Sequence, residues 1–252
     1  FFEVFDKPSL CDSPICYVLT EFNKATRDFW KKHHQLKKWV DAGRLDFAKF
    51  DGESDTSIVL MNRGERLASD TLRNPMVFIA NYFFDGLPQD LFHVANGTLQ
   101  EYLVTTMLPA SPSDINDPIL LEDITFDYHA EPTTADYYDN PLWNQLLAEY
   151  QSLLNNTNLL FPIASFACLQ RLHKMTNGRM LLISGDKGFH RQSDLMIYDN
   201  PSLSVHGSFS MTVNYHAIGR HTELHGGQFL SSPHRHGNLD MCVILYGDQP
   251  QD

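Results

Sequence analysis

Cysteine is scarce in this chain, and the four present, Cys11, Cys16, Cys168 and Cys242, do not make a disulfide framework for 252 residues. Cys11 and Cys16 lack a matching second pair for zinc, so all four read as reduced thiols. Positive charge is also short: 19 Lys and Arg against 31 Asp and Glu leave a formal net charge of −12. A surface of that sign argues against nucleic acid as the main partner, because phosphate binding needs a basic face. No apolar run approaches the ~20 residues of a membrane span, so no membrane insertion is expected, and no signal peptide is recognisable. The triplets Asn96-Gly97-Thr98 and Asn155-Asn156-Thr157 fit the glycosylation pattern, with nothing else to suggest secretion. No HExxH pattern occurs among the 12 histidines.

The composition that remains is that of a soluble globular protein, 42% hydrophobic and 20% charged. The chain is organised around Pro75 to Phe92. Met76 to Ala80 is an apolar run that fits a strand buried on both faces. It stops at Asn81, after which Asp85, Gln89 and Asp90 cluster with the breakers Gly86 and Pro88. A buried strand ending in a polar, irregular loop is where open α/β sheets place ligands. A plain core strand with a tight exit loop gives the same pattern.

Upstream, Cys16 to Thr20 is β-prone and ends at Glu21, a helix pattern runs from about Lys24 to Val40, and Leu45 to Phe50 is a strand ending at Asp51. This order is a βαβ unit with an acid at the end of each strand. Ser57 to Met61 and the turn Asn62-Arg63-Gly64 predict a small hairpin, with Arg63 and Arg66 solvated. Downstream, Asn96-Gly97 between two β-prone runs predicts a second hairpin. Helices are expected over Trp143 to Leu154 and Ile163 to Met175, joined by an Asn-rich loop at Asn155 to Asn158, and a strand over Ile119 to Tyr128. Arg179 to Ile183 is a second strongly apolar strand, leading into Asp186-Lys187-Gly188. Asn214 is placed to cap a helix through about Leu224, and Gln228 to Ser232 and Leu239 to Leu245 form the last two strands. His206, His216, His221, His225, His234 and His236 crowd into 31 positions without a carboxylate to complete a ligand set, so they read as surface and helix-end residues and no metal is assigned.

Asn81-Tyr-Phe-Phe-Asp85-Gly86-Leu87-Pro88 resembles the Asn-Glu-x-x-Asp-Ala-Leu-Pro signature of the MidA-like family of class I S-adenosylmethionine-dependent methyltransferases, which includes a mitochondrial arginine methyltransferase. The family's Glu is Tyr82 here. Asp186-Lys187-Gly188 is similar to its Asp-Tyr-Gly triplet, with the aromatic lost, and the hairpin after Leu-Pro falls in family order. The resemblance implies a Rossmann-like α/β fold, mostly parallel with an antiparallel closing pair. The expected organisation is residues 1–106 as the front of the methyltransferase domain, 107–178 as an inserted cap, and 179–247 as its C-terminal part.

The implied function is methyl transfer from S-adenosylmethionine to a protein side chain, arginine being the family precedent. Asp85 is the implied catalytic acid–base or orienting group with Asn81 fixing the loop. Glu21, Asp51 and Asn81 are implied to bind the cofactor, with Glu21 on the ribose and Asp51 on the adenine amine, and Asp186 and Gly188 to contact substrate. The compartment implied is the cytoplasm, or the mitochondrial matrix in a eukaryote. No Gly-rich loop precedes Glu21, and Phe1 to Asp6 reads as the tail of a helix, so the front of the domain is expected to lie upstream of Phe1. A non-catalytic binding or assembly module on the same fold is the alternative.

Overall fold

The computed structural model describes residues 15–108, 124–196, 204–205, 209–233 and 239–247. The chain divides into two compact units, Phe1–Arg73 and Asn74–Asp252. Cys11, His206, His234 and His236 lie outside the described residues, as does the first part of the strand expected from Ile119. No described helix is long and apolar enough to cross a membrane.

In the first unit, β1 (Tyr17–Thr20) and β2 (Leu45–Ala48) pair in parallel, Tyr17 opposite Leu45 and Thr20 opposite Ala48. The connection is helical, as expected, but it is two helices, α1 (Lys24–Lys32) and α2 (His34–Asp41). The chain breaks at His33, which is extended at φ −73 and ψ 114. The break lies in the polar run Lys31-Lys32-His33-His34, which carries no apolar side chain to hold the helix to the core. It leaves Trp30 stacked on Phe47 at 6.2 Å, with Phe29 exposed. Asn23 caps α1 by accepting the N–H of Ala25, and Gly43, at φ 68, turns the chain out of α2.

The expected small hairpin is present as β3 (Ile58–Val59) and β4 (Arg66–Leu67). Its turn is tied to β2 by Asp46, a buried carboxylate that accepts the N–H groups of Asn62 and Arg63. Arg63 is not free in solvent, since it hydrogen-bonds the carbonyl of Gly43 and approaches Asp46 at 4.0 Å.

The second unit holds two larger sheets and a small antiparallel ribbon of β11 (Ser204–Val205) and β12 (Phe209–Ser210). The first is mixed: β5 (Met76–Asn81) lies parallel to β10 (Met180–Phe189), with Met76 opposite Met180 and Asn81 opposite Gly185. On the other side of β10 runs β15 (Leu239–Tyr246), antiparallel, followed by antiparallel β14 (Gln228–Ser231). The short β13 (Val213–Asn214) joins β10 in parallel beyond the end of β5. The second sheet is antiparallel, in the order β8 (Thr125–Thr133), β7 (Thr98–Met107), β6 (Asp90–Ala95), β9 (Thr157–Phe161). Asn96 and Gly97 both have positive φ, the geometry of the predicted two-residue turn between β6 and β7.

Helices α3 (Pro141–Leu153), α4 (Ile163–Met175) and α5 (Tyr215–Leu224) complete the unit. Asn140 and Asn214 cap the first and last of these through their side-chain oxygens. The loop expected at Asn155 to Asn158 is shorter than expected: Asn155 and Asn156 turn the chain, and strand β9 takes in Thr157 and Asn158. Leu159, Leu160 and Phe161 are all buried, each worth ~1.5–3 kcal/mol on leaving water, and Asn158 is paired with His93 at 2.8 Å. Burial of that triplet outweighs the turn preference of the asparagines.

β5 is not buried on both faces. Val77 and Ile79 are 60% and 51% exposed, while Ala80 and the alternate residues Met180, Leu182 and Ser184 of β10 are buried. One face of the sheet is covered by α5 and the other carries Val77, Ile79, Leu230, Met241 and Leu245 toward solvent.

Candidate active site

The loop after β5 sits over the carboxyl-terminal half of β10. The ladder continues one step past Asn81, where the Tyr82 N–H donates to the carbonyl of Gly185 at 3.0 Å. Tyr82 then turns the chain with φ 49, a left-handed conformation that an aromatic residue adopts at a cost of ~1–3 kcal/mol and that is concentrated at functional sites. A single 3-10 turn follows at Phe84–Gly86, anchored by the fully buried Phe84 ring.

The loop is held by one carboxylate. Asp186 Oδ2 accepts the N–H groups of Phe83, Phe84 and Asp85 at 3.1, 3.0 and 3.1 Å, and its Oδ1 accepts the N–H of Lys187 at 2.9 Å. Asp186 is fully buried. Burial, and then the negative charge of Asp85, push its carboxyl up to about 6, against the pull of the N–H donors.

Asp85 is arranged the opposite way. Its backbone is fixed at both ends, the N–H on Asp186 and the carbonyl on the N–H of Met211 at 2.9 Å. Its side-chain carboxylate has no hydrogen bond or ion pair among the described residues. Asn81 is exposed at the end of β5, with its Oδ1 beside Gly185. Gly188 makes room for Tyr215, because a Cβ there would stand 2.7 Å from the Tyr215 ring and 2.8 Å from the carbonyl of Val213. The Tyr215 hydroxyl meets Ser184 Oγ at 2.6 Å, and Ser184 Oγ donates to the carbonyl of Ala80 at 3.0 Å. This chain of contacts ties α5 to β10 and β5 beneath the loop.

The structure thus gathers Asn81, Asp85, Asp186 and Gly188 at the carboxyl ends of β5 and β10. Glu21 and Asp51 belong to the first unit, following the carboxyl ends of the parallel strands β1 and β2. Glu21 Oε1 accepts the N–H of Asn23 at 2.9 Å, and its other oxygen has no partner among the described residues. Asp51 Oδ1 accepts the N–H of Glu53 at 2.9 Å within a turn closed by Asp55.

Two residues with chemistry were not singled out from the sequence. His190, one residue beyond β10, places Nδ1 2.6 and 2.8 Å from the two oxygens of Asp240, and the two side chains are 10% and 5% exposed. Asp240 stands directly opposite Asp186 in the β10–β15 ladder. The alternation Asp186, Gly188, His190 was the signal available, but the partner lies 50 residues away. Cys242, on the same face as Asp240, is buried, and its thiol is pushed well above the usual range by burial, with Asp240 and Asp186 adding to it.

The other histidines include one surprise. His221 is buried rather than at the surface, stacked on Phe166 at 4.5 Å and 4.1 Å from His225; burial, then His225, pushes it down to about 3. No group of three metal-ligating side chains occurs among the described residues.

No protein-family model matches the chain, and no curated protein matches its sequence. A solved structure does match: a COG1565 superfamily member from Burkholderia thailandensis bound to S-adenosyl-homocysteine, whose methyl transferase activity is itself an inference. The TM-score is 0.54 at 11% identity, over 91% of this chain and 64% of that one. The two chains share a fold. The chain spans less than two thirds of that neighbour's length.

Proposed function

We propose that this protein is an S-adenosylmethionine-dependent methyltransferase that modifies a protein side chain, arginine being the acceptor class that fits the site. The observation that carries the reading is the contrast between Asp186 and Asp85. One buried carboxylate holds the loop through three N–H bonds, which leaves the Asp85 side chain on a tied backbone with no hydrogen bond or ion pair among the described residues. The fold shared with a structure that holds S-adenosyl-homocysteine supports it.

When bound, the cofactor supplies an electrophilic methyl group on a sulfonium. What the chain supplies is alignment. Asp85 accepts hydrogen bonds from the guanidinium of the acceptor, for which a carboxylate is the matching planar partner. Asn81, at the end of β5 with its Oδ1 beside Gly185, presents an amide to the cofactor, and Tyr82, held in its strained turn, sets where the loop leaves the strand. Asp186 works through the loop rather than on the substrate itself, and Gly188 by seating Tyr215. In the first unit, Glu21 offers its unpartnered oxygen to ribose hydroxyls and Asp51 accepts from the adenine amine.

Calorimetry with S-adenosyl-homocysteine tests the cofactor half of this reading. The wild-type protein is expected to bind, and Glu21→Ala to bind at least tenfold more weakly, the loss of a charged acceptor worth ~1.5–3 kcal/mol. Unchanged affinity in Glu21→Ala removes Glu21 from the site, and no binding by the wild type overturns the reading.

A further inference from the structure

Transfer of a methyl group to a guanidinium releases a proton. A sulfonium and a guanidinium, two positive charges, become a neutral thioether and a methylguanidinium, one charge, and the second leaves as H⁺. The site therefore needs an orienting group and a proton acceptor. Asp85 is suited to the first task. A group whose protonation changes near neutral pH is better matched to the second.

We propose that His190, held by Asp240, is that proton acceptor; this rests on the methyltransferase reading given above. A carboxylate only accepts, so His190 donates Nδ1–H to Asp240 and carries its lone pair on Nε2. No hydrogen bond to Nε2 occurs among the described residues, and the ring is not wholly buried. A histidine whose inner nitrogen is fixed by a nearly buried carboxylate and whose outer nitrogen is open is the arrangement of a general base.

Its location follows from the ladder. Asp186 and Asp240 face each other on adjacent strands, on the same side of the sheet. Asp186 carries the Asp85 loop, and Asp240 carries His190. One pair of opposed residues therefore sets the position of both the orienting carboxylate and the base. The other ionisable groups around the pair are Cys242 on β15 and Tyr215 and His216 at the start of α5. Tyr215 is pushed well above its usual range and His216 below, each mainly by burial.

In the step proposed, the lone pair of the acceptor nitrogen forms the bond to the methyl carbon and the carbon–sulfur pair leaves with sulfur. The proton on that nitrogen passes to His190 Nε2, with Asp240 stabilising the imidazolium, and is later released to water.

The test uses the full-length protein, S-adenosylmethionine with a labelled methyl group, and an arginine-containing peptide. His190→Gln is expected to lower kcat by ~100-fold or more, the scale of a positioned base, with KM and S-adenosyl-homocysteine affinity within about threefold of wild type. Asp240→Asn, which keeps an acceptor for Nδ1–H but no charge, loses less, about tenfold. In His190→Ala, added imidazole restores part of the rate, which a purely structural role would not allow. A His190→Gln protein with kcat within about threefold of wild type overturns the proposal while leaving the methyltransferase reading intact, and so does a rate loss that imidazole does not rescue. A wild-type protein that transfers no methyl group to the peptide overturns the arginine reading, and this role with it.

Discussion

Asp186→Asn is the perturbation whose effect can be worked from the structure. The substitution keeps shape but takes the charge from the acceptor of three loop N–H groups. The carboxyl is held at about 6 against an ordinary 3.8, the net of burial, the charge of Asp85 and these N–H donors, so at neutral pH the ionised side chain is ~3 kcal/mol less favourable in the fold than its protonated form. Asparagine escapes that penalty, but its amide sets an N–H₂ group against the N–H of Lys187, two donors facing each other, at ~1–3 kcal/mol. At pH 7 the two nearly offset, and Asp186→Asn is expected to match wild type or to exceed it by up to ~2 kcal/mol.

The sign of the pH dependence follows from the direction of the shift. A pKa raised on folding means that the native state binds the proton more tightly. Its contribution to stability is therefore full below about 4 and is lost as pH rises through about 6. Asparagine has no such contribution, so wild type gains up to ~3 kcal/mol of stability relative to Asp186→Asn from pH 7 to pH 4. Denaturant melts of both proteins at the two pH values measure it. A wild type that gains no stability over Asp186→Asn between pH 7 and pH 4 refutes Asp186 as the buried anchor of the loop.

Gly188→Ala drives a Cβ into the Tyr215 ring and the Val213 carbonyl, and is expected to cost ~1–3 kcal/mol in a thermal melt. Gly86→Ala, with open space around its Cβ and no positive φ, is expected to stay within ~0.5 kcal/mol of wild type; equal losses in the two would show that the close approach at Gly188 is not real.

Local chemistry was legible in the sequence where the signal and its cause lie within a few residues. The Asn96-Gly97 turn and the Asn214 cap fall in this class, since each is set by backbone geometry that short motifs encode. The break at His33 was missed because the apolar stripe on either side of it fits one continuous helix. β9 was missed because asparagine propensity was read ahead of the apolar triplet that follows, and tertiary burial won. The half-exposed β5 has the composition of a doubly buried strand, and only the side covered by α5 tells its two faces apart.

The site was legible only in part. Asn81 and Asp85 announce themselves as polar residues at the end of an apolar strand. The division of labour between Asp85 and Asp186 does not, because the N–H groups that Asp186 binds lie 101 to 103 residues away. The His190–Asp240 pair depends on the register of β10 against β15, in which a slip of one residue would turn Asp240 to the other face.

The central claim is that Asp85 is free for substrate because Asp186 does the structural work. Labelled-methyl transfer by wild type and Asp85→Asn, run beside a melting curve for each, tests it most directly. The account predicts methyl transfer by the wild type, a loss of about a hundredfold or more in Asp85→Asn, and a Tm within about 2 °C of wild type, since the Asp85 carboxylate has no described partner to lose. Full activity in Asp85→Asn, or a protein that binds S-adenosyl-homocysteine yet transfers no methyl group to any acceptor, would contradict it.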